Sequence, residues 1–424
     1  MKKALRFVLW SLLALLLTAA VALALIVKIA LAPAKDEWAM QRRIGPLTLD
    51  LGVPTLIRLA TTPWFAPWLD GRRFDTAHGP VQLHWNEERR QLQVRCAPCQ
   101  AAVPALGPQP LRLEHLGITV RRDAGRLAGE LEAVPPQGTP NGGPLQGRWT
   151  GLLTQRDLRV EADLADAPIA RWYAVLTPEL PELQRAQIGG TAGLKVQFTL
   201  PGGAAGPLGV QPRVAQFTVA GLGTEAMLGA RTACGPGAGL RADSWLARAV
   251  IAAEDQRFFQ HPGYDLVELA AAFDKNQHKG GIDRGGSTIT QQLAKMLVTG
   301  SERTLERKLR ELLYAVEMEQ TLGKARILQL YLDNAPWGRV CGAEAAARHY
   351  FKRPAARLEP AQAVWLASML HAPGLAAERW AREGTLDPQR LKWVAEGIRG
   401  ISRAQRAALL RSVDSARYPS PASE

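Results

Sequence analysis

Glu254-Asp255-Gln256-Arg257-Phe258-Phe259-Gln260-His261-Pro262-Gly263 is the stretch on which the reading of this 424-residue chain turns. Ahead of it, Ser244 can cap a helix that starts at Trp245 and stays largely apolar up to the two acids. A carboxylate at the end of such a helix is partly sheltered. Shelter raises its pKa and suits it to proton abstraction near neutrality. Taken alone, a solvated helix end explains the pair as well. Phe258 and Phe259 are expected to pack beneath the turn that His261-Pro262-Gly263 shapes, with His261 read as structural.

Two further stretches follow. Gly285-Gly286-Ser287-Thr288-Ile289-Thr290-Gln291-Gln292 opens as a loop and enters a helix that reaches Lys295. Glycines permit close backbone approach, hydroxyls and amides offer neutral donors, and helix N-termini favour anions. By composition alone this is a polar loop with a Ser/Thr cap. Beyond Arg303, the run Arg307-Lys308-Leu309-Arg310-Glu311 sits on a segment whose Leu305, Leu309, Leu312, Leu313 and Val316 recur at helical spacing. Arg307 and Lys308 stand four and three residues before Glu311, so all three share a face. Alone, they form a surface ladder worth only ~0.3–0.5 kcal/mol per pair.

The order and spacing of the three stretches together resemble glycosyltransferase family 51, the peptidoglycan glycosyltransferases. The resemblance covers about residues 240–375. It implies a mostly α, lysozyme-like domain in which Glu254 is the general base on the acceptor 4-hydroxyl and Glu311 lies near the departing diphosphate. It places Asp255, Ser287, Thr288, Gln291, Gln292, Lys295, Arg303, Arg307 and Lys308 in substrate binding. Cations there suit a leaving diphosphate, and a base within hydrogen-bond reach suits a neutral hydroxyl. A fourth match, Lys324-Ala325-Arg326-Ile327-Leu328-Gln329-Leu330-Tyr331-Leu332-Asp333, has Gln329 where the family prefers Glu and Asp333 where it prefers Asn. Gln362 replaces another usual Glu. No metal-ligand cluster is visible, no cofactor is required, and a divalent cation such as Mg2+ would arrive with the diphosphate. The Ser-x-x-Lys and Lys-Thr-Gly motifs of an appended transpeptidase are missing from the sequence, which points to a monofunctional enzyme.

The rest of the chain sets the context. Net charge is +13 with pI near 9.9, which favours anionic partners: nucleic acid, lipid headgroups or a phosphorylated substrate. Lys2, Lys3 and Arg6 precede an apolar run from Phe7 to Val27, about the ~20 residues that cross a bilayer. Basic residues on that side predict a cytoplasmic N-terminus and an exported body. A cleaved signal peptide is the rival, with a shorter apolar region. Four cysteines suit an oxidising compartment. Cys96-Ala97-Pro98-Cys99 reads as a local disulfide or two plain thiols, and a Cys234–Cys341 bridge stays open.

From about residue 47 to 220, segments such as Gln91–Arg95 and Leu194–Leu200 alternate apolar and polar residues between Gly/Pro clusters, the pattern of half-buried strands. The expected organisation is a tip and transmembrane anchor (1–32), a β-rich periplasmic module (33–220) beginning with a short stalk, a Gly-rich linker (221–240), a mostly α glycosyltransferase domain (241–412) and a disordered tail (413–424). The expected partners are lipid II, the nascent glycan strand, the inner membrane and, through the β-rich module, cell-wall synthesis proteins; nucleic acid is not expected. Two rivals remain. One is a lysozyme-like glycan-cleaving enzyme, which has no anionic leaving group for the cationic set to stabilise. The other is a weakly active or inactive envelope scaffold.

Overall fold

The computed structural model of the protein describes Thr18 and residues 32–44, 47–101, 110–201, 209–271, 286–302 and 304–420. The expected anchor (Thr18 apart), Gly285, Arg303 and residues 421–424 lie outside the described residues. Among the described residues, no helix is long and apolar enough to cross a membrane.

The N-terminal half is β-rich. A hairpin of β1 (Ala39–Ile44) and β2 (Leu47–Gly52) leads into helix α1 (Val53–Ala60). The expected stalk is thus a folded element. Glu37 accepts from the Thr55 backbone N–H at 3.0 Å, and Trp38 packs on the sheet beside Ile57. Next come β3 (Arg73–Thr76), β4 (Gly79–Asn86) and β5 (Gln91–Cys96), then a small ribbon of β6 (Cys99–Ala101) and β7 (Leu111–Leu113). Then follow β8 (His115–Asp123), β9 (Arg126–Val134), β10 (Leu145–Leu153), β11 (Leu158–Pro168), β12 (Gln187–Leu200) and β13 (Gly209–Ala220). Apart from the ribbon, β3 to β13 form one nine-stranded antiparallel sheet in the order β13-β12-β11-β10-β9-β8-β5-β4-β3.

Alternation in sequence becomes alternation in burial. In β10, Leu145, Gly147 and Trp149 are buried while Gln146, Arg148 and Thr150 are exposed. Trp149 stands opposite Gly129, and its indole N–H donates to the Thr119 carbonyl at 3.0 Å. A Cβ on Gly129 would collide with that carbonyl and with the indole nitrogen, so glycine is what lets the ring lie across the sheet.

Between β11 and β12 the chain makes α2 (Ile169–Leu176) and a 3-10 turn at Pro181–Gln184. After β13 it enters the helical half: α3 (Trp245–Glu254), α4 (Ile289–Ala294), α5 (Leu305–Thr321), α6 (Gly323–Asn334), α7 (Ala343–Phe351), α8 (Pro360–Ser368), α9 (Pro373–Glu383), α10 (Pro388–Gly397) and α11 (Arg403–Ser415). One buried cluster runs from Ile169 and Tyr173 in the β-rich half through Leu246, Phe258 and Trp365 to Val413. The two halves therefore share one apolar core, each Å² of which contributes ~25 cal/mol.

Two expectations need correction. The 221–240 stretch is docked: buried Glu317 accepts from the backbone N–H of Leu222 at 2.7 Å and of Thr224 at 3.1 Å. The 413–424 stretch begins inside α11, and Val413, Tyr418 and Pro419 pack against the body. Tyr418 stacks on Trp365, and the Trp380 indole donates to the Pro419 carbonyl at 2.8 Å. Aromatic burial outweighs the polar composition that suggested a tail. Both cysteine pairs are bridged, Cys96 to Cys99 and Cys234 to Cys341.

Candidate active site

Helix α3 delivers the carboxylate pair. The Ser244 hydroxyl caps it by accepting from the Ala247 N–H, and the apolar face formed by Leu246, Val250 and Ala253 is buried. The helix packs between α8 and α10 and ends at Glu254, whose side chain is 9% exposed. Burial pushes the Glu254 carboxyl up to about 7, with the charge of Asp255 adding a little; Gln292 and Arg390 pull the other way. The Gln292 amide donates to Glu254 Oε2 at 3.0 Å, and Arg390, from the first turn of α10, reaches Oε1 at 3.4 Å. Tyr331 of α6 donates its hydroxyl to Gln292 Oε1 at 3.0 Å. A buried tyrosine whose own pKa is driven well up keeps its proton. It therefore fixes the amide so that the NH2 faces Glu254.

Asp255 turns inward. Its two oxygens lie 3.0 Å from His261 Nε2, and Oδ2 also accepts from the Ile289 N–H at 2.9 Å, at the start of α4. His261 Nδ1 accepts from the Gly263 N–H at 3.2 Å, so the ring is the Nε2–H tautomer. Gly263 has φ of 93°, and a Cβ there would strike the Ala315 carbonyl at 2.8 Å. Lys324 lies 4.4 Å over the Phe258 ring and donates to the His261 carbonyl at 2.7 Å. The acid pair thus divides: Glu254 faces Gln292 and Arg390, and Asp255 pins the turn to the next helix.

Helix α4 opens with a capping box. Thr288 Oγ1 accepts from the Gln291 N–H, and Gln291 Oε1 accepts from the Thr288 N–H, both at 3.1 Å. Thr288 and Gln291 are consumed by the fold, whereas Ser287, one residue earlier, accepts from Lys308 Nζ at 2.6 Å. Thr288 to Gln292 is four residues, ~6 Å along a helix axis. One short helix therefore carries the partner of Lys308 at one end and the partner of Glu254 a turn later. Lys295 is exposed at its far end.

The cationic group is built on α5. Buried Glu311 holds Arg307 through Oε1 and Lys308 through Oε2, the latter at 2.8 Å. Burial pushes Lys308 down to about 8, helped by Arg307 and Lys295; its side chain keeps 40% exposure, so solvent screens part of that repulsion. Glu311 thus assembles two cations rather than offering a free carboxylate. Its two oxygens are both engaged, and among the described residues no group of three or more His, Cys, Asp or Glu could hold a metal ion.

With that geometry in view, residues 241–398 match the sequence model of the family described as Transglycosylase. This part of the chain is similar in sequence to the transglycosylase family. Three proteins bearing the name biosynthetic peptidoglycan transglycosylase resemble it. The one from Nitrosomonas eutropha is 51% identical over 129 residues, 30% of this chain and 53% of the relative. That from Alcanivorax borkumensis is 46% identical over 153 residues, 35% and 61% respectively. That from Laribacter hongkongensis is 49% identical over 129 residues, 30% and 57%. The chain therefore spans between half and two thirds of these relatives' length, and the family match leaves the β-rich half untouched.

The sequence named Glu254 and Gln292, which the structure joins, and Lys308 and Glu311, which it also joins; it did not single out Arg390 or the part played by Tyr331. Tyr331 sits in the fourth matching stretch and carried a signal. Arg390 lies in α10 beyond the quoted motifs, 136 residues from Glu254, and carried none.

Proposed function

We propose that the protein is an inverting peptidoglycan glycosyltransferase that polymerises lipid II into β-1,4 glycan strands. The observation that carries the proposal is the pairing of a sheltered carboxylate, Glu254, with a cation pair held ready on α5, a helix turn along α4. Glu254, ionised above about pH 7, accepts the proton of the acceptor 4-hydroxyl. That oxygen bonds to the anomeric carbon of the donor chain as the bond to the diphosphate oxygen breaks, and undecaprenyl diphosphate leaves with the electron pair. Arg307 and Lys308 meet the charge that develops there, where preorganised cations act most strongly. Lys295, and Arg303 by its place in the motif, extend the cationic side.

Both Glu311 oxygens are bound by cations, so the carboxylate does not fit a resident metal. A divalent ion would enter as the counter-ion of the diphosphate, and no step is routed through it. The basic run, the apolar stretch from Phe7 to Val27 and the diphosphate-linked lipid substrate together support a single-pass inner-membrane protein. In that topology the N-terminus is cytoplasmic and the body periplasmic.

The test is incubation of detergent-purified full-length protein with labelled lipid II, with products separated by size. The expected result is long polymer whose rate falls by about 10²-fold or more in Glu254→Gln. Undiminished polymer from that variant refutes the assignment of the base. Shortening of preformed glycan, with no synthesis, selects the glycan-cleaving alternative.

A further inference from the structure

Helix α5 carries two working faces. Arg307, Lys308 and Glu311 form one. Arg310, Tyr314, Glu317 and Thr321 form the other, about a quarter turn away around the helix. The second face is seated on the part of the chain that the family match does not cover. Arg310 donates twice to Glu182 Oε1, at 2.9 and 2.7 Å. Glu182 is only 3% exposed. Tyr314 donates to the same oxygen at 3.3 Å while accepting from Arg185 at 2.9 Å. Buried Tyr173 of α2 donates to the Leu309 carbonyl at 3.1 Å, in the turn that carries Lys308.

We propose that the β-rich half is an intramolecular positioning element for the donor-side helix of the helical half, with Glu182 as its central positioning residue. Directional bonds at Leu309, Arg310 and Tyr314 fix both the rotation and the axial position of α5. Glu311 lies within one turn of all three, and Lys308 within one turn of Leu309 and Arg310. A rigid helix so held has its cations in place before substrate arrives, whereas rotation about its axis would swing Lys308 away from Ser287. The inference rests on the proposed function for its kinetic readout and stands apart from it in its structural one.

The experiment compares full-length wild type, Glu182→Gln, Tyr173→Phe and the control Glu161→Gln, which removes an exposed carboxylate partner of Lys195 elsewhere on the sheet. Misplacement of a catalytic group by ~1 Å costs up to ~100-fold in rate. Glu182→Gln is therefore expected to lower kcat by about 10-fold or more, with KM within about threefold. Tyr173→Phe, which keeps the ring and its packing, gives a smaller loss in the same direction. The alkaline limb of kcat/KM is a second readout. The groups facing Lys308 are Arg307 and Glu311 on its own helix, Ser287 before α4 and Lys295 at the end of α4. Loosening α5 exposes Lys308 to water and moves that limb upward, which a general loss of stability does not do.

Wild-type kinetics with an unmoved limb in both variants overturn the proposal. Where Glu182→Gln does not fold, Tyr173→Phe decides. Where wild type itself makes no polymer, amide hydrogen exchange over residues 305–312 decides. Faster exchange in Glu182→Gln and Tyr173→Phe, but not in Glu161→Gln, supports the positioning role; unchanged exchange overturns it.

Discussion

Replacing Gln292 tests whether the charge state of Glu254 governs the reaction. The Gln292 amide is a hydrogen-bond donor to a nearly buried carboxylate, 3.0 Å away. A bond to a charged group is worth ~1.5–3 kcal/mol, and each pH unit corresponds to ~1.36 kcal/mol. Gln292→Met, combined with Tyr331→Phe so that no hydroxyl is left without an acceptor, removes the donor and keeps the volume. The acidic midpoint, about 7 for Glu254 in the wild type, then rises by about 1–2 pH units.

The proposed mechanism fixes the sign. The base must be ionised, so activity falls as pH drops through that midpoint, while Lys308 must be protonated, so activity falls as pH rises through about 8. At pH 7 the ionised fraction drops from about one half to between ~1% and ~10%, a 5- to 50-fold loss in kcat/KM. At pH 8.5 the loss shrinks to about 1- to 4-fold relative to wild type. The assay is initial-rate polymerisation of labelled lipid II from pH 5.5 to 9, with folding monitored by circular dichroism. An equal loss at every pH would refute the reasoning, because it would make Gln292 a substrate contact instead of a modulator of the base.

Other outcomes follow from the same contacts. A carboxyl raised from 4.5 to about 7 by burial binds its proton more tightly folded than unfolded. It therefore costs stability above pH 7 and nothing below about pH 4.5. Glu254→Gln is expected to be more stable than wild type by about 2–3 kcal/mol at pH 8, the gap closing at pH 4, as urea titrations at the two pH values will show. Glu311→Gln strips two cations of their buried partner and is expected to cost about 3–5 kcal/mol of stability as well as polymerisation, read by thermal melts and the lipid II assay. Cys341→Ser opens a bridge between residues 107 apart in sequence; a fall of about 2–4 kcal/mol in unfolding free energy, matched by reductant on wild type, checks it.

What was legible in the sequence was local. Alternation announced the strands because a half-buried sheet needs a period of two. Ser244 marked the start of α3 because a cap acts through neighbouring backbone groups. His261 was read as structural, and both of its ring nitrogens bond within the turn. The Asp255 contacts were not legible, since the choice between facing a cleft and facing His261 is made by which backbone N–H lies beyond, here that of Ile289. The docking of 221–240 was hidden for the same reason. A Gly-rich stretch with few large apolar side chains looks like a linker until the carboxylate that binds its N–H groups, Glu317, is seen 93–95 residues away. Arg390 is the extreme case, an arginine whose role exists only through the fold.

The departures from the family pattern bear on whether the site is active, and their surroundings show what each of them touches. Gln362 completes a capping box by accepting from the Glu359 N–H at 3.0 Å, a task that glutamine and glutamate perform equally. Gln329 accepts from Arg326 at 2.9 Å; the rest of that guanidinium is spent on the carbonyls of Met227 and Ala230. Asp333 accepts from the Ala238 N–H at 2.8 Å, and its own carbonyl accepts from Thr232, flanking the Cys234–Cys341 bridge. Arg326 and Asp333 therefore face the stretch that joins the two halves, and Gln362 serves the start of α8. None of the three departures touches Glu254, Lys308 or Glu311. Gln329, through Arg326, and Asp333 lie beside the stretch that joins the two halves, whereas Gln362 lies apart from it at the start of α8.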